Sequence, residues 1–286
     1  MQSYDSICCF RNRHNDGYRI LLEITDCCNQ HCIFCHAKDR KTMSIASISK
    51  IINNLRDIKI HDVILTGGEP LLHRNIFEIL EWFKTKHIDC DLCSNGTLID
   101  EQKAKTLANY LSEISISLDT VNPEVYDYLR GTKNGLEKAI SGIIHCKNSG
   151  LEVHLTTVLT KSNFSEIEEI INKAEELGVH SISFLAVIVD VAKDKVETEK
   201  IALSDFEKDK VMEIINRHRN QGMIINTKRI CACNEEYCRA GQNILGITSE
   251  GKVLGCIMHR DKSFDINEQL LTKEMLIELQ KNNTKC

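Results

Sequence analysis

Three cysteines stand close together in Cys28-Asn-Gln-His-Cys32-Ile-Phe-Cys35. Thiolates at this spacing on one short loop can wrap three corners of a cubane iron–sulfur cluster, which needs four ligands to be saturated. The missing ligand leaves one iron open, and an open position is how catalytic metals bind a substrate or cofactor directly. Zinc is the bland alternative, but structural zinc is usually held by two ligand pairs, and no second pair lies nearby. His31 and His36 read as solvent-facing neighbours, and Cys27, one place too early, reads as a bystander.

Composition sets the limits on this chemistry. The chain has 286 residues, 42% of them hydrophobic and 27% charged, as in an ordinary globular protein. A formal charge of −5 without any Lys/Arg tract excludes nucleic acid as a partner. No apolar run is long enough to span a bilayer, and Met1 to Asn15 lacks the apolar segment of a signal peptide. The expected location is therefore the cytoplasm. In that reducing compartment 14 cysteines suit metal or redox chemistry better than a disulfide framework. Cys8, Cys9, Cys90, Cys93 and Cys146 have no partner pattern and read as buried thiols, one of which could return a hydrogen atom in an epimerase.

The elements that must position these groups alternate from Tyr18 onward. Strands are expected at Arg19–Thr25, Asp62–Thr66, Ile88–Cys93, Glu113–Leu118, Glu152–Val158 and Ser181–Val187. Helices are expected at Ile45–Arg56, Ile76–Lys84, Glu101–Tyr110, Gly135–Asn148 and Ser165–Leu177. Six βα units in sequence predict a parallel sheet with helices outside, an α/β partial (βα)6 TIM-type barrel over 18–190. An arm at 1–17 precedes it. The charged, aperiodic 191–204 suits a linker, and 205–286 reads as a small cysteine-rich C-terminal domain. That domain is expected to hold a helix at Asp205–Asn220, a hairpin of Ile244–Thr248 with Lys252–Cys256 around Glu250-Gly251, and a last helix at Ile266–Gln280.

With Asn29 after the first cysteine and Phe34 before the third, the first cluster resembles the hallmark of the radical S-adenosylmethionine (radical SAM) superfamily. Further matches follow in family order: Gly67-Gly68-Glu69-Pro70 after the second strand, Ser94-Asn95-Gly96-Thr97 after the third, Ser115-Ile116-Ser117-Leu118-Asp119 after the fourth, then Arg130-Gly131. Alone, Gly67-Gly68 is an ordinary turn and Arg130 a surface arginine. Their register with six βα units carries the resemblance, because every match sits at the C-terminal end of a strand, where parallel α/β folds place ligands. The resemblance implies a [4Fe-4S] cluster on Cys28, Cys32 and Cys35 that passes an electron into the sulfonium of S-adenosylmethionine. Homolysis then gives methionine and a 5′-deoxyadenosyl radical, which takes a hydrogen atom from the substrate. It also implies cofactor contacts from Phe34, Gly67, Gly68, Glu69, Pro70, Ser94 and Asn95, with Ser117 and Arg130 at the methionine carboxylate.

Downstream, Cys231-Ala-Cys233-Asn-Glu-Glu-Tyr-Cys238 precedes the hairpin, and Cys238-Arg-Ala-Gly241, then Ile247, then Gly251-x4-Cys256 resembles the start of the SPASM extension, closer to its shortened twitch form. That form implies a second, auxiliary [4Fe-4S] cluster on Cys238 and Cys256, with Cys231 or Cys233 as third ligand. Its fourth corner is Cys286, the other thiol of the 231/233 pair, or the substrate. Cys231, Cys233, Cys238 and Cys256 with His259 could instead hold tetrahedral zinc. The implied partners are a small-molecule or peptide substrate and a flavodoxin- or ferredoxin-type reductant. Only 17 residues precede Tyr18, too few for a fused peptide-recognition domain of roughly ninety residues. That turns the expectation towards oxidation or rearrangement of a small molecule. A peptide maturase forming a thioether, crosslink or inverted residue is the alternative, and a zinc- or cluster-binding scaffold is the reading from another class. No acid or base can be assigned, although Glu23, Asp119 and Glu235 lie near motifs.

Overall fold

Alternation fixes the faces of the first strand, β1 (Tyr18–Thr25). Ile20, Leu22 and Ile24 are fully buried in the hydrophobic core, so Arg19, Glu23 and Thr25 point to the opposite face. The chain continues through α1 (Ile45–Asn54), β2 (Ile60–Gly67), α2 (Ile76–Thr85), β3 (Asp89–Ser94), α3 (Glu101–Leu107) and β4 (Leu111–Ser117). Then come α4 (Pro123–Arg130), α5 (Gly135–Asn148), β5 (Glu152–Leu159), α6 (Ile167–Glu176), β6 (Ser181–Ala186), α7 (Lys195–Ile201) and α8 (Asp205–His218). Strands β7 (Ile224–Arg229), β8 (Ile244–Ile247), β9 (Lys252–Cys256) and β10 (His259–Asp265) precede the last helix, α9 (Lys273–Lys281). This computed structural model describes residues 17–36, 41–189, 192–218, 222–229, 243–256, 259–267 and 269–281.

Among the described residues, ten strands form one sheet, in the order β10-β9-β8-β1-β2-β3-β4-β5-β6-β7. Strands β1 to β7 pair in parallel throughout. The α/β parallel architecture expected from the sequence is therefore present. The helices cover one face with an apolar core, whereas the other face is polar. There Arg19 forks onto Asp62 through Nε at 2.9 Å and Nη2 at 2.6 Å, and His154 Nδ1 meets Ser181 Oγ at 2.6 Å. A polar interior face is what a barrel that holds a polar ligand requires, since buried polar groups must find partners.

Several elements differ from the sequence reading. The segment 191–204 carries α7, capped by Asp194, whose side chain accepts from Glu197 N; the local cap outweighs the missing apolar period. Helix α4 was not expected, although Asn122 caps it and Pro123 opens it. Strand β7 has few apolar residues of its own and forms by pairing with β6. The expected hairpin is β8–β9, but β8 also pairs in parallel with β1, so the ladder runs unbroken from β1 to β10. The last helix begins at Lys273 rather than Ile266, because Ile266 is held at the end of β10 by Gly251 O.

Candidate functional site

The loop after β1 presents Cys28, Cys32 and Cys35 as half-buried thiols outside any disulfide. Burial pushes the Cys28 thiol up, and pushes Cys32 up to about 11 against the opposing charge of Arg130. Glu69 and Cys35 also raise Cys28, and Asp119, Cys35 and Cys28 also raise Cys32. Three neighbouring thiolates cannot all ionise in such a place without a cation, and the irons of a cluster supply that charge. The donor set fits a three-thiolate cluster.

The surrounding motifs grip this loop. Backbone bonds run from His31 N to Arg130 O at 2.8 Å and from Ile33 N to Leu129 O at 3.1 Å, tying the loop to the end of α4. Gly131 caps that helix in the left-handed region, at φ 55°, and a Cβ there would lie 2.4 Å from His31 O. The glycine of Arg130-Gly131 is thus required twice, by conformation and by the close approach of the loop. Gly68 serves likewise on the other side. Its N donates to Thr25 O, Glu69 N donates to Cys27 O, and a Cβ on Gly68 would lie 2.3 Å from Cys27 O.

Glu69 is fully buried, and its carboxylate accepts from Leu71 N, Ser94 Oγ and Asn95 N at 3.1, 2.9 and 2.7 Å. Burial raises its pKa despite these donors. Its side chain is spent on joining Gly67–Pro70 to the Ser94–Thr97 turn. Asn95 Nδ2 donates to Asn29 Oδ1 at 2.8 Å and lies 3.9 Å from Cys28 Sγ, linking the third motif to the thiol loop.

Arg130 is buried, with Nη2 2.5 Å from Asp119 Oδ2 and Nη1 3.7 Å from Cys32 Sγ. Its guanidinium sits 5.6 Å from the centre of the Phe34 ring. Burial alone would lower its pKa, but Asp119 and Cys32 outweigh this and hold it charged. Burial raises the Asp119 pKa, opposed by Arg130 and by the Val158 N–H. Ser117 ends β4, opposite Thr156 on β5. Cys28, Cys32, Cys35, Phe34, Glu69, Ser94, Asn95 and Arg130 are thus joined by direct contacts, with Gly67, Gly68, Pro70 and Ser117 at adjoining strand ends.

The family model of the radical SAM superfamily matches residues 22–174, more than half of the chain. The chain belongs to the radical SAM superfamily. Two archaeal relatives carry the name "Probable GTP 3′,8-cyclase". That of Metallosphaera sedula is 28% identical over 90% of this chain and 86% of its own. That of Sulfurisphaera tokodaii is 30% identical over 87% and 84%. Among solved structures, Streptococcus suis SuiB bound to S-adenosylmethionine superposes with a TM-score of 0.75 at 19% identity, over 94% of this chain and 68% of that one. The partial barrel of radical SAM enzymes is thereby established as the fold.

Of the second cysteine group, Cys256 is buried at the end of β9, opposite His259 in the ladder with β10. Cys231, Cys233, Cys238 and Cys286, with Glu235, lie outside the described residues, as do Cys8 and Cys9. Cys90 and Cys146 are buried as expected, and Cys93 is half-buried. No helix among the described residues is long and apolar enough to cross a membrane. Sequence reasoning missed two features of this radical SAM enzyme. Helix α7 and the residues just before it brace the thiol loop through Lys193 N to Cys35 O at 2.8 Å and Thr198 Oγ1 to Ile33 O at 3.2 Å. Arg260 of β10 pairs with Glu23 of β1. Both contacts join segments distant in sequence, and no local pattern announces them.

Proposed function

We propose that this radical SAM enzyme takes a hydrogen atom from a small molecule held on the polar face of the barrel. When loaded, the cofactor pair supplies one chemistry: a cluster on Cys28, Cys32 and Cys35 reduces S-adenosylmethionine to methionine and the 5′-deoxyadenosyl radical. The observation that carries this reading is the joint grip of Gly67–Pro70, the Ser94–Thr97 turn and Arg130-Gly131 on one loop of three thiols. A scaffold without radical chemistry has no use for that arrangement.

The chain's own residues hold and shield the cofactors. The backbone of Gly67–Pro70 takes the methionine amino group, and Ser117 and Arg130 take its carboxylate. Asn95 and Phe34 close the loop around the cluster. The names of the full-length relatives support a purine nucleoside triphosphate as the substrate. The position of Cys256 supports an auxiliary [4Fe-4S] cluster held with Cys238 and with Cys231 or Cys233, its fourth corner taken by Cys286, the other thiol of the 231/233 pair or the substrate. A flavodoxin or ferredoxin is the fitting electron donor.

Anaerobic reconstitution with dithionite and S-adenosylmethionine tests the reading, with 5′-deoxyadenosine and iron measured in wild type and in the Cys28/Cys32/Cys35 triple alanine variant. We expect roughly eight irons falling to four, and the nucleoside lost in the variant. Equal nucleoside from both proteins would sink the proposal.

A further inference from the structure

The three carboxylates near the motifs have different fates. Asp119 is committed to Arg130 and Val158 N, and Glu235 lies outside the described residues. Glu23 remains. It lies on β1, five residues before Cys28, on the polar face, because Leu22 and Ile24 fill the core side. It is 2% exposed. Its Oε1 takes Nη2 of Arg260 and lies 3.5 Å from Nε2 of His36, the residue after Cys35. Its Oε2 is buried and has no hydrogen-bond partner among the described residues, and neither has the buried Nε of Arg260.

Arg260 belongs to β10, three ladders away from β1 in the sheet. Its contact with Glu23 requires β8–β10 to curl over the polar face. One ion pair beside the thiol loop therefore shows an unused acceptor and an unused donor. A buried carboxylate oxygen and a buried guanidinium N–H without protein partners are open to a ligand that supplies them.

We infer that Glu23 and Arg260 form a binding subsite for the lactam edge of a purine nucleotide. Glu23 Oε2 accepts from the ring N–H, and Arg260 Nε donates to the neighbouring carbonyl oxygen. A lactam places those two groups on adjacent ring atoms, and arginine pairs readily with the carbonyl of guanine. The subsite rests on the proposed function, in which a purine nucleotide occupies the barrel. It goes further in naming the base edge and the residues that read it.

The test is equilibrium dialysis of reconstituted enzyme with S-adenosylmethionine against GTP and against 1-methyl-GTP, whose ring nitrogen carries no hydrogen. Wild type is expected to bind GTP at least about tenfold more tightly than the methylated nucleotide. Glu23→Gln turns the free acceptor into a donor while Arg260 keeps the other oxygen, so it should lose GTP affinity by a similar factor and no longer distinguish the two nucleotides. Arg260→Met, at a site one-third exposed, should weaken GTP without erasing the discrimination. Iron content and thermal midpoint verify that each variant is folded. Wild type that forms 5′-deoxyadenosine yet binds neither nucleotide overturns the subsite alone, as does a Glu23→Gln variant that still discriminates. Wild type that forms no 5′-deoxyadenosine overturns the reading beneath it.

Discussion

Gly131→Ala tests whether the end of α4 shapes the thiol loop. The residue sits at φ 55° and ψ 46°, where an alanine costs about 1–2 kcal/mol relative to glycine. Its Cβ would also lie 2.4 Å from His31 O, and that backbone atom can yield only by moving the loop. Losing the bond from His31 N to Arg130 O adds about 0.5–1.5 kcal/mol, for a total of about 1.5–3.5 kcal/mol. Gly150→Ala is the matched control. Gly150 has φ 87° with no neighbour within 4 Å of an added Cβ, so it bears the conformational cost and nothing more. Both variants should lose stability in urea, but Gly131→Ala alone should release cluster iron to a chelator and lower 5′-deoxyadenosine formation, by about tenfold or more. Equal iron retention in the two variants would refute the idea that the close approach at Gly131 holds the loop in place.

Other outcomes follow from the same contacts. Asp119→Ala leaves Arg130 buried and unpaired, which should cost about 3–5 kcal/mol in chemical denaturation and abolish cofactor cleavage. Asp62 gives a pH signature: burial alone would raise its carboxyl, but hydrogen bonds from His61 and Arg19 outweigh burial and hold it at about 2 against an ordinary 3.8. A lowered folded value gives stability that is present above about pH 4 and lost as the pH falls towards 2, about 2 kcal/mol in all, and Asp62→Asn should flatten that part of the profile. Cys256→Ala should leave 5′-deoxyadenosine formation intact while product is lost, read by chromatography of the same reaction. In native protein Cys146, pushed up to about 12 by burial, should resist iodoacetamide until the chain is unfolded.

The sequence showed most clearly what repeats and what is local. The six alternating strands were readable to within about two residues because each buries one face of a period-2 pattern. The thiol loop and strand-end motifs were readable because their residues are neighbours in the chain. Helix α4 could have been read from Asn122-Pro123, a cap followed by the first helical position. Strand β7 and the parallel pairing of β8 with β1 could not, since each forms by joining an existing edge. The carboxylates make the same distinction within the site. Glu23, Glu69 and Asp119 look alike as single residues near motifs. Glu69 proves to be the internal tie between two turns, and Asp119 the counter-charge that keeps Arg130 buried beside Cys32. Each is satisfied by the protein and has little left for a ligand. Glu23 keeps one buried oxygen without a partner among the described residues. What singles it out is the contact made by Arg260, 237 positions away in the chain, and only the folded sheet brings the two together.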